Sequence, residues 1–507
     1  MARHAEKVTG VISGWDRVRL QGTLRSLYNP EVMNGYLWNA GVAWKDYRAH
    51  VCEVTQHIRD AATTAAADAG RRVIYLCGQV RKETLIEEIR QRERIKEGLV
   101  AVLSAVEPCR TWQVRGDRVE KKLRLELGWG KCIHLYFYLV HEVFGLMHLR
   151  LQTWFPFLVH VCWNGREWLA RQLAAAGIKY RREDNCFTWL SDVTGAQRLL
   201  DEQMRTNWSA VMAPLMEQYH PTHRLIEAVL PVQYYWTAAQ TEHATDVMFR
   251  DRASVTQVYP SLVHHSVMSF GAEQVLRFLG RHAAGKSEVS SDRRRREEGV
   301  RVKHWIDGNS LKLYDKGSVL RSEVTINEPE GFKVYRTAEG KPHQPKRWRT
   351  LRRTVADLPR RAQLSRAASE RHLEALAAVN VDTALRDTVG GLCHRTTRDG
   401  RHYRSLRPFD RWDHAVLQAI NRAEWTVTGL RNADLRAALE QHLPSSMSAR
   451  QASEKISRTL RLLRAHGLLA KIPRSHRYRV TPKARVAITA LLAAANASTA
   501  QLERLAA

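Results

Sequence analysis

The sequence has no run near the roughly twenty apolar residues that span a bilayer and no evident amphipathic or lipidated anchor, so no membrane partner is expected. Cysteine is scarce and unpatterned. The seven residues Cys52, Cys77, Cys109, Cys132, Cys162, Cys186 and Cys393 are odd in number, widely spaced and lack a Cys-x-x-Cys pair, which suits reduced thiols in a cytoplasm. His134, His141, His148 and His160, taken with Cys132 and Cys162, match no standard zinc spacing. Met1 to Lys7 is polar and carries no secretory signal, and a cytoplasmic location is expected. Gly-rich phosphate loops and internal repeats are also missing. Acidic residues are in deficit, 52 against 80 Lys and Arg, for a formal charge of +28 and a pI near 10.2. Polyanions are the natural partners of such a surface, DNA first and RNA second.

At 507 residues the chain can form about two to four domains with a sizeable core. Val8–Asp16 and Val18–Leu24 alternate as two strands with Asp16 near a bend. Arg72–Cys77, Lys82–Ile95 and Gly98–Pro108 read as strand, helix and strand, a parallel β-α-β unit that ends near Glu107. Acids at strand ends suit a shared divalent cation, so Asp16 and Glu107 are candidate ligands for Mg²⁺; turn chemistry at Asp16 is the plainer account.

Residues 111 to 190 interleave His, Arg, Tyr and Trp on strand-like runs, which serves either a core or a platform for single-stranded nucleic acid. Tyr234 and Tyr235 are the only adjacent tyrosines and candidate nucleophiles, with aromatic packing as the alternative; a helix-like run follows them to Arg250. Arg293, Arg294, Arg295 and Arg296 form a positive block in a polar segment, read as a solvated loop or a phosphate clamp. Three period-two runs between Val300 and Asn327 predict an antiparallel meander carrying Lys303, Lys312, Lys316 and Arg321, expected to meet nucleic-acid phosphates. Glu323 faces the side of Arg321 and Thr325, as a metal or base carboxylate or as half of a cross-strand pair with Lys. Leu351–Val379 reads as one long helix, arginine-rich in its first half and able to lie along a nucleic-acid backbone, and Thr388–Pro408 as a flexible domain boundary.

The C-terminal region is the most legible. Val416, Leu417 and Ile420 mark a first helix, Asn432–Leu439 a second, and Ala452–His466 a third, opened by Ser448 or Ser453 and stopped by Gly467. Leu468–Ile472 and Arg477–Thr481 then predict a hairpin with a basic tip. The run Ile456–Leu469 followed by Tyr478–Thr481 resembles the recognition helix and wing of MarR-like winged-helix regulators. That resemblance covers the last fifth of the chain and implies duplex DNA in reach of Lys455, Arg458, Arg461, Arg464, Arg474, His476, Arg477 and Arg479. A winged helix used for protein contact is the alternative. Tyr314-x-Lys316 and Arg321-x-Glu323 are also similar to a strand pair of rolling-circle replication initiators, although the His-hydrophobic-His triplet of that family is missing.

The expected fold is a large mixed α/β body with parallel and antiparallel sheet elements, followed by a winged helix-turn-helix. Four parts are expected: an α/β domain over 1–110, a basic aromatic-rich α+β domain over 111–335, a basic helix and linker over 336–408, and the winged helix over 409–507, whose last helix could pair two copies. The expected function is nucleic-acid binding, in a mobile or replicating element. The alternatives are a metal-dependent nuclease or tyrosine strand-transfer enzyme, with Asp16, Glu107, Glu323, Tyr234 and Tyr235 as its candidates, and a transcriptional regulator.

Overall fold

The computed structural model describes residues 6–499 apart from 79, 118–120, 269, 271, 281–288, 297–298, 339, 342, 378–384, 422–424, 426–428 and 474. Mixed α/β architecture is observed, built on one sheet. In chain order its strands are β1 (Val8–Leu24), β2 (Val73–Tyr75), β3 (Gly98–Asp117), β4 (Lys122–His141), β5 (Gly145–Gln152) and β6 (Val159–Asn164). After a small separate hairpin, β7 (Tyr180–Glu183) and β8 (Cys186–Leu190), come β9 (Tyr234–Phe249), β10 (Val289–Arg296), β11 (Gly299–Ile306), β12 (Asn309–Lys316) and β13 (Val319–Ile326). The spatial order of the eleven is β10-β11-β12-β13-β9-β1-β6-β5-β4-β3-β2. Only β2 and β3 run parallel among the described residues, and the crossover between them is α3 (Lys82–Arg92), as the β-α-β pattern leads one to expect.

Several expectations change here. Residues 8–24 form one strand, not two, and Asp16 marks a β-bulge: Trp15 pairs with His243 and Arg17 with Glu242, leaving Asp16 as the extra residue. Gly165 accommodates the close approach at this point, since a Cβ there would lie 2.1 Å from the Trp15 carbonyl oxygen. The run after Tyr234 is strand β9, despite its helix-favouring Ala, Gln and Glu, because β1 and β13 pair with it on both sides. Arg293–Arg296 lies in edge strand β10 rather than a loop, and its charge discourages further strand addition. Ala283–Ser287 falls outside the described residues. A division at residue 110 would cut β3, so the sheet is continuous across the first expected boundary.

Alternation along the strands gives the sheet two unlike faces. On one, Val18, Leu20, Phe137, Leu149 and Val161 share a core with α2 (Tyr47–Asp68) and α6 (Trp208–Tyr219). Leu311, Leu313, Val324 and Ile326 continue it under α8 (Arg252–Met268), α9 (Ala272–Leu279) and α10 (Leu358–Ala377). The other face carries charge over much of its width. Helix α3 packs on it at Tyr136 and Tyr138. Of the expected helix Leu351–Val379, residues 358–377 form α10, which packs into the core: Arg361 is fully buried, Arg360 and the preceding Arg352 are tied to Asp357, and Arg366 stays exposed.

The expected helix-and-linker part over 336–408 begins inside a hairpin, β14 (Lys333–Arg336) and β15 (Arg347–Thr350). The C-terminal unit contains α11 (Leu385–Val389), the hairpin β16 (Thr396–Arg398) and β17 (Arg401–Tyr403), α12 (Arg411–Ile420), α13 (Asn432–Ala438) and α14 (Ala449–Ala465). The hairpin β18 (Leu469–Lys471) and β19 (Tyr478–Val480) and helix α15 (Pro482–Asn496) complete it. Leu417, Ile420, Leu435, Ile456, Leu460 and Leu463 form its core. Ala487, Ile488, Leu491 and Leu492 of α15 are buried in that same core, which leaves little of the apolar face for a second copy.

Candidate nucleic-acid interface

The bulge at Asp16 aims its carboxylate across the sheet toward β13. Arg321 Nη1 donates to Asp16 Oδ1 at 2.8 Å, and its Nε and Nη2 donate to the two oxygens of Asp246 at 2.6 and 3.0 Å. Arg321 Nη2 also reaches the Asn185 carbonyl at 2.6 Å, and Asn185 Nδ2 returns a bond to Asp16 at 2.6 Å. Fully buried Arg166 lies 3.1 Å from Asp246, which is itself fully buried. Burial opposes the charge on Asp246, yet Arg166 and Arg321 hold its carboxyl below the usual range. Arg321, expected on phosphate, is thus a buried positioning residue with its fork fully engaged.

Beside this ionic core opens a cleft of about 1090 Å³. Its floor comes from β1, β9, β12 and β13, and its rim from α3 and the β7–β8 hairpin, through Arg90 and Arg182 among others. Lys312, also expected on phosphate, is buried instead: its Nζ is 2.5 Å from Glu323 and 3.6 Å from Glu242. Burial works against its charge, and the two carboxylates more than restore it. Glu323 is pushed up by burial and by Asp16 and Glu242, while Lys312 pulls it down. This is the cross-strand Glu-Lys pair, at the register Lys312 opposite Glu323. Lys316, Tyr314, Arg301 and Arg17 also line the cleft. Burial raises the Tyr314 hydroxyl to about 12, helped by Glu323 and opposed by Lys312 and Arg301. Lys303 lies 3.6 Å over the Trp305 ring and is lowered to about 8, by burial first and then by Lys312 and Arg301.

A second polar cluster occupies the same face four strands away. Glu107 accepts from Tyr136 at 2.6 Å, Lys82 at 3.0 Å and Arg150 at 2.7 Å. Burial opposes its charge, but those three donors hold it near 2. Arg150 Nη1 donates to His160 Nδ1 at 3.2 Å, and His160 Nε2 donates on to Gln21. Glu107 is therefore mid-strand and not at a strand end, and β6, β5 and β4 separate it from Asp16 by roughly 19 Å at about 4.8 Å per strand. The two cannot share one Mg²⁺. Among the described residues no three His, Cys, Asp or Glu side chains are grouped as a metal would require.

Tyr234 and Tyr235 sit at the start of β9, eight residues or roughly 26 Å before Glu242. Tyr234 bonds His220 at 2.6 Å, with its hydroxyl pushed up by burial, and Tyr235 stacks under Arg25 at 5.2 Å. Neither reaches the cleft. The acid that does is Glu242, in the run whose composition predicts helix; its spacing of four from Asp246 fits one strand face equally well.

In the C-terminal unit, Ser448 caps α14 and forms a capping box with Gln451, so the helix starts three residues before the expected Ala452. Ile456, Leu460 and Leu463 point inward, while Arg458 and Arg461 stand exposed. Both arginines line two grooves, one of about 620 Å³ toward α13 and one of about 520 Å³ toward β16–β17. Lys455 lies 3.8 Å over Trp412, and half-buried Arg464 lies 5.9 Å from the Tyr478 ring. His476 and Arg479 are exposed, Arg477 bonds the Gly429 carbonyl, and Arg474 lies outside the described residues. Arg293 and Arg294 are exposed on β10, with Arg294 2.9 Å from Asp292; Arg295 and Arg296 continue that strand. The seven cysteines are free thiols, and no described helix is long and apolar enough to cross a membrane. No family model matches the chain, and neither the curated proteins nor the solved structures contain a significant match to it.

Proposed function

We propose that the protein binds nucleic acid through two surfaces. The C-terminal unit acts as a winged helix that holds duplex DNA with α14, and the charged cleft takes a DNA or RNA backbone. The observation that carries this reading is the exposed pair Arg458 and Arg461, one turn apart on a helix whose opposite face is fully packed, each bordering a groove on either side. A sheet body with its own charged cleft suits a replication or mobile-element role better than simple repression. The test is duplex binding across a salt series. Arg458→Ala with Arg461→Ala should weaken binding and lower the slope of log affinity on log salt by about 2, near one unit per phosphate contact. Unchanged affinity and slope would make the unit a protein-contact module.

A second reading, phosphodiester cleavage or strand transfer, is favoured by Tyr314, the tyrosine that lines the cleft beside Lys316, Arg301 and Glu323. Incubating labelled single strands with Mg²⁺ or EDTA tests it. A covalent adduct lost in Tyr314→Phe supports transfer; intact strands throughout a broad panel leave binding as the activity.

A further inference from the structure

The stretch expected to be a flexible boundary, Thr388–Pro408, contains a tight hairpin. Asp399 (φ 49°) and Gly400 (φ 70°) close β16 onto β17 in two residues, both in the left-handed region that such a turn requires. Two bonds fasten this hairpin to α14. Arg398 Nη1 donates to the Arg464 carbonyl at 2.6 Å, where the last turn of a helix leaves acceptors without intrahelical partners, and His466 Nε2 donates to the Arg404 carbonyl at 2.8 Å. Arg404 is held in turn by both oxygens of Asp413, at 2.6 and 2.7 Å. The hairpin is thus fixed beside α14, distinct from β18–β19.

The groove between hairpin and helix, about 520 Å³, has cations on both walls: Arg401 and Arg404 on one, Lys455, Arg458 and Arg461 on the other. None of its described lining residues is acidic. Residues 395 to 407 hold five arginines against one acid, Asp399, which sits at the tip 3.6 Å from Arg398. Two facing cationic walls repel a basic peptide and match a continuous line of phosphates. We infer that the β16–β17 hairpin is a second DNA arm: the backbone of one strand of a duplex passes between it and α14, which shares its phosphate contacts with the hairpin. This rests on the reading of the C-terminal unit as duplex-binding.

The experiment uses the full-length protein and a mixed-sequence duplex, with binding followed over a salt series. Arg395 and Arg401 are exposed and take no part in the bonds that anchor the hairpin. Arg395→Ala with Arg401→Ala should lower the salt slope by about 2 and weaken binding by an order of magnitude or so near 0.1 M salt, with an unchanged melting temperature. Asp399→Asn keeps a residue that tolerates the left-handed turn and removes the one acid, so it should tighten binding, a gain that misfolding cannot imitate. If the unaltered protein binds no duplex, the reading beneath the inference falls, and the inference with it. If it binds, and the arginine pair and Asp399→Asn both leave affinity and slope unchanged, the second arm is overturned while duplex binding by α14 stands.

Discussion

Arg321 illustrates how far a side chain's role depends on its depth. On sequence it reads as one of several cations on a strand, free to meet phosphate. In the fold it is 3% exposed and joins three strands through Asp16, Asp246 and the hairpin turn at Asn185. Removing it leaves Arg166 as the one cation on fully buried Asp246, so Arg321→Met should cost about 3 kcal/mol, the low end for breaking a buried pair. Urea unfolding followed by circular dichroism measures this; a loss below about 1 kcal/mol would mean that the network relaxes or that water replaces the guanidinium. Lys312 follows the same logic with Glu323 and Glu242. Residue type was legible in the sequence at both positions, whereas burial was not, because both faces of β13 and of the first five residues of β12 are covered and period-two alternation then carries no inside or outside.

At the scale of elements, legibility followed locality. The β2-α3-β3 unit, the meander β11–β13, and α14 with its stop at Gly467 are set by short-range pattern, and each appears as the sequence predicts, with only the first turn of α14 displaced by three residues. What failed was decided by distant partners. Strand β9 has helix-forming composition and is a strand because β1 and β13 flank it; the single strand β1 is long because β9 pairs with it before and after a bulge that has no sequence signature, and β6 pairs with the part that follows. The candidate cleft lies at that crossing of long-range pairings, so Arg17, Glu242 and Asn185 could not be grouped from spacing alone. The cap of α14 is by contrast a local device. Ser448→Ala should cost about 1 kcal/mol by freeing the Gln451 N–H, and thermal unfolding of the variant reads it. No loss would show that the first turn is held by packing at Ala452.

The whole molecule carries a pH signature. Burial is the first cause that lowers seven imidazoles, five of them far: His148 and His304 to about 4, and His160, His220 and His243 to about 3. Each is neutral in the fold and titrates near 6.5 when unfolded, so its contribution is complete above about 6.5 and is lost as pH falls toward 3 to 4. Depressed Glu107 adds to the loss below about 4.5, and raised Glu323 offsets part of it. The melting temperature should therefore be flat from pH 7 to 8 and decline steadily below 6.5, as each imidazole withdraws up to about 1 kcal/mol of stability by pH 5.5. A flat profile down to pH 5 would show that these rings are hydrated.

One contact sets how the two halves work together. The β14–β15 hairpin, which leaves the body just after β13, places Trp348 edge-on against Trp425 of the C-terminal unit at 5.8 Å, and Tyr335 lies 4.8 Å from the Arg477 guanidinium. Helix α15 also touches α10, the helix that backs the sheet. A unit on a loose leash would raise local concentration and tolerate any spacing between its two binding events. If a duplex engages cleft and α14 together, as proposed above, a unit bolted by tryptophan would act as a ruler, selecting it by the phase of its helical repeat, about 10 base pairs per turn, as well as by its length.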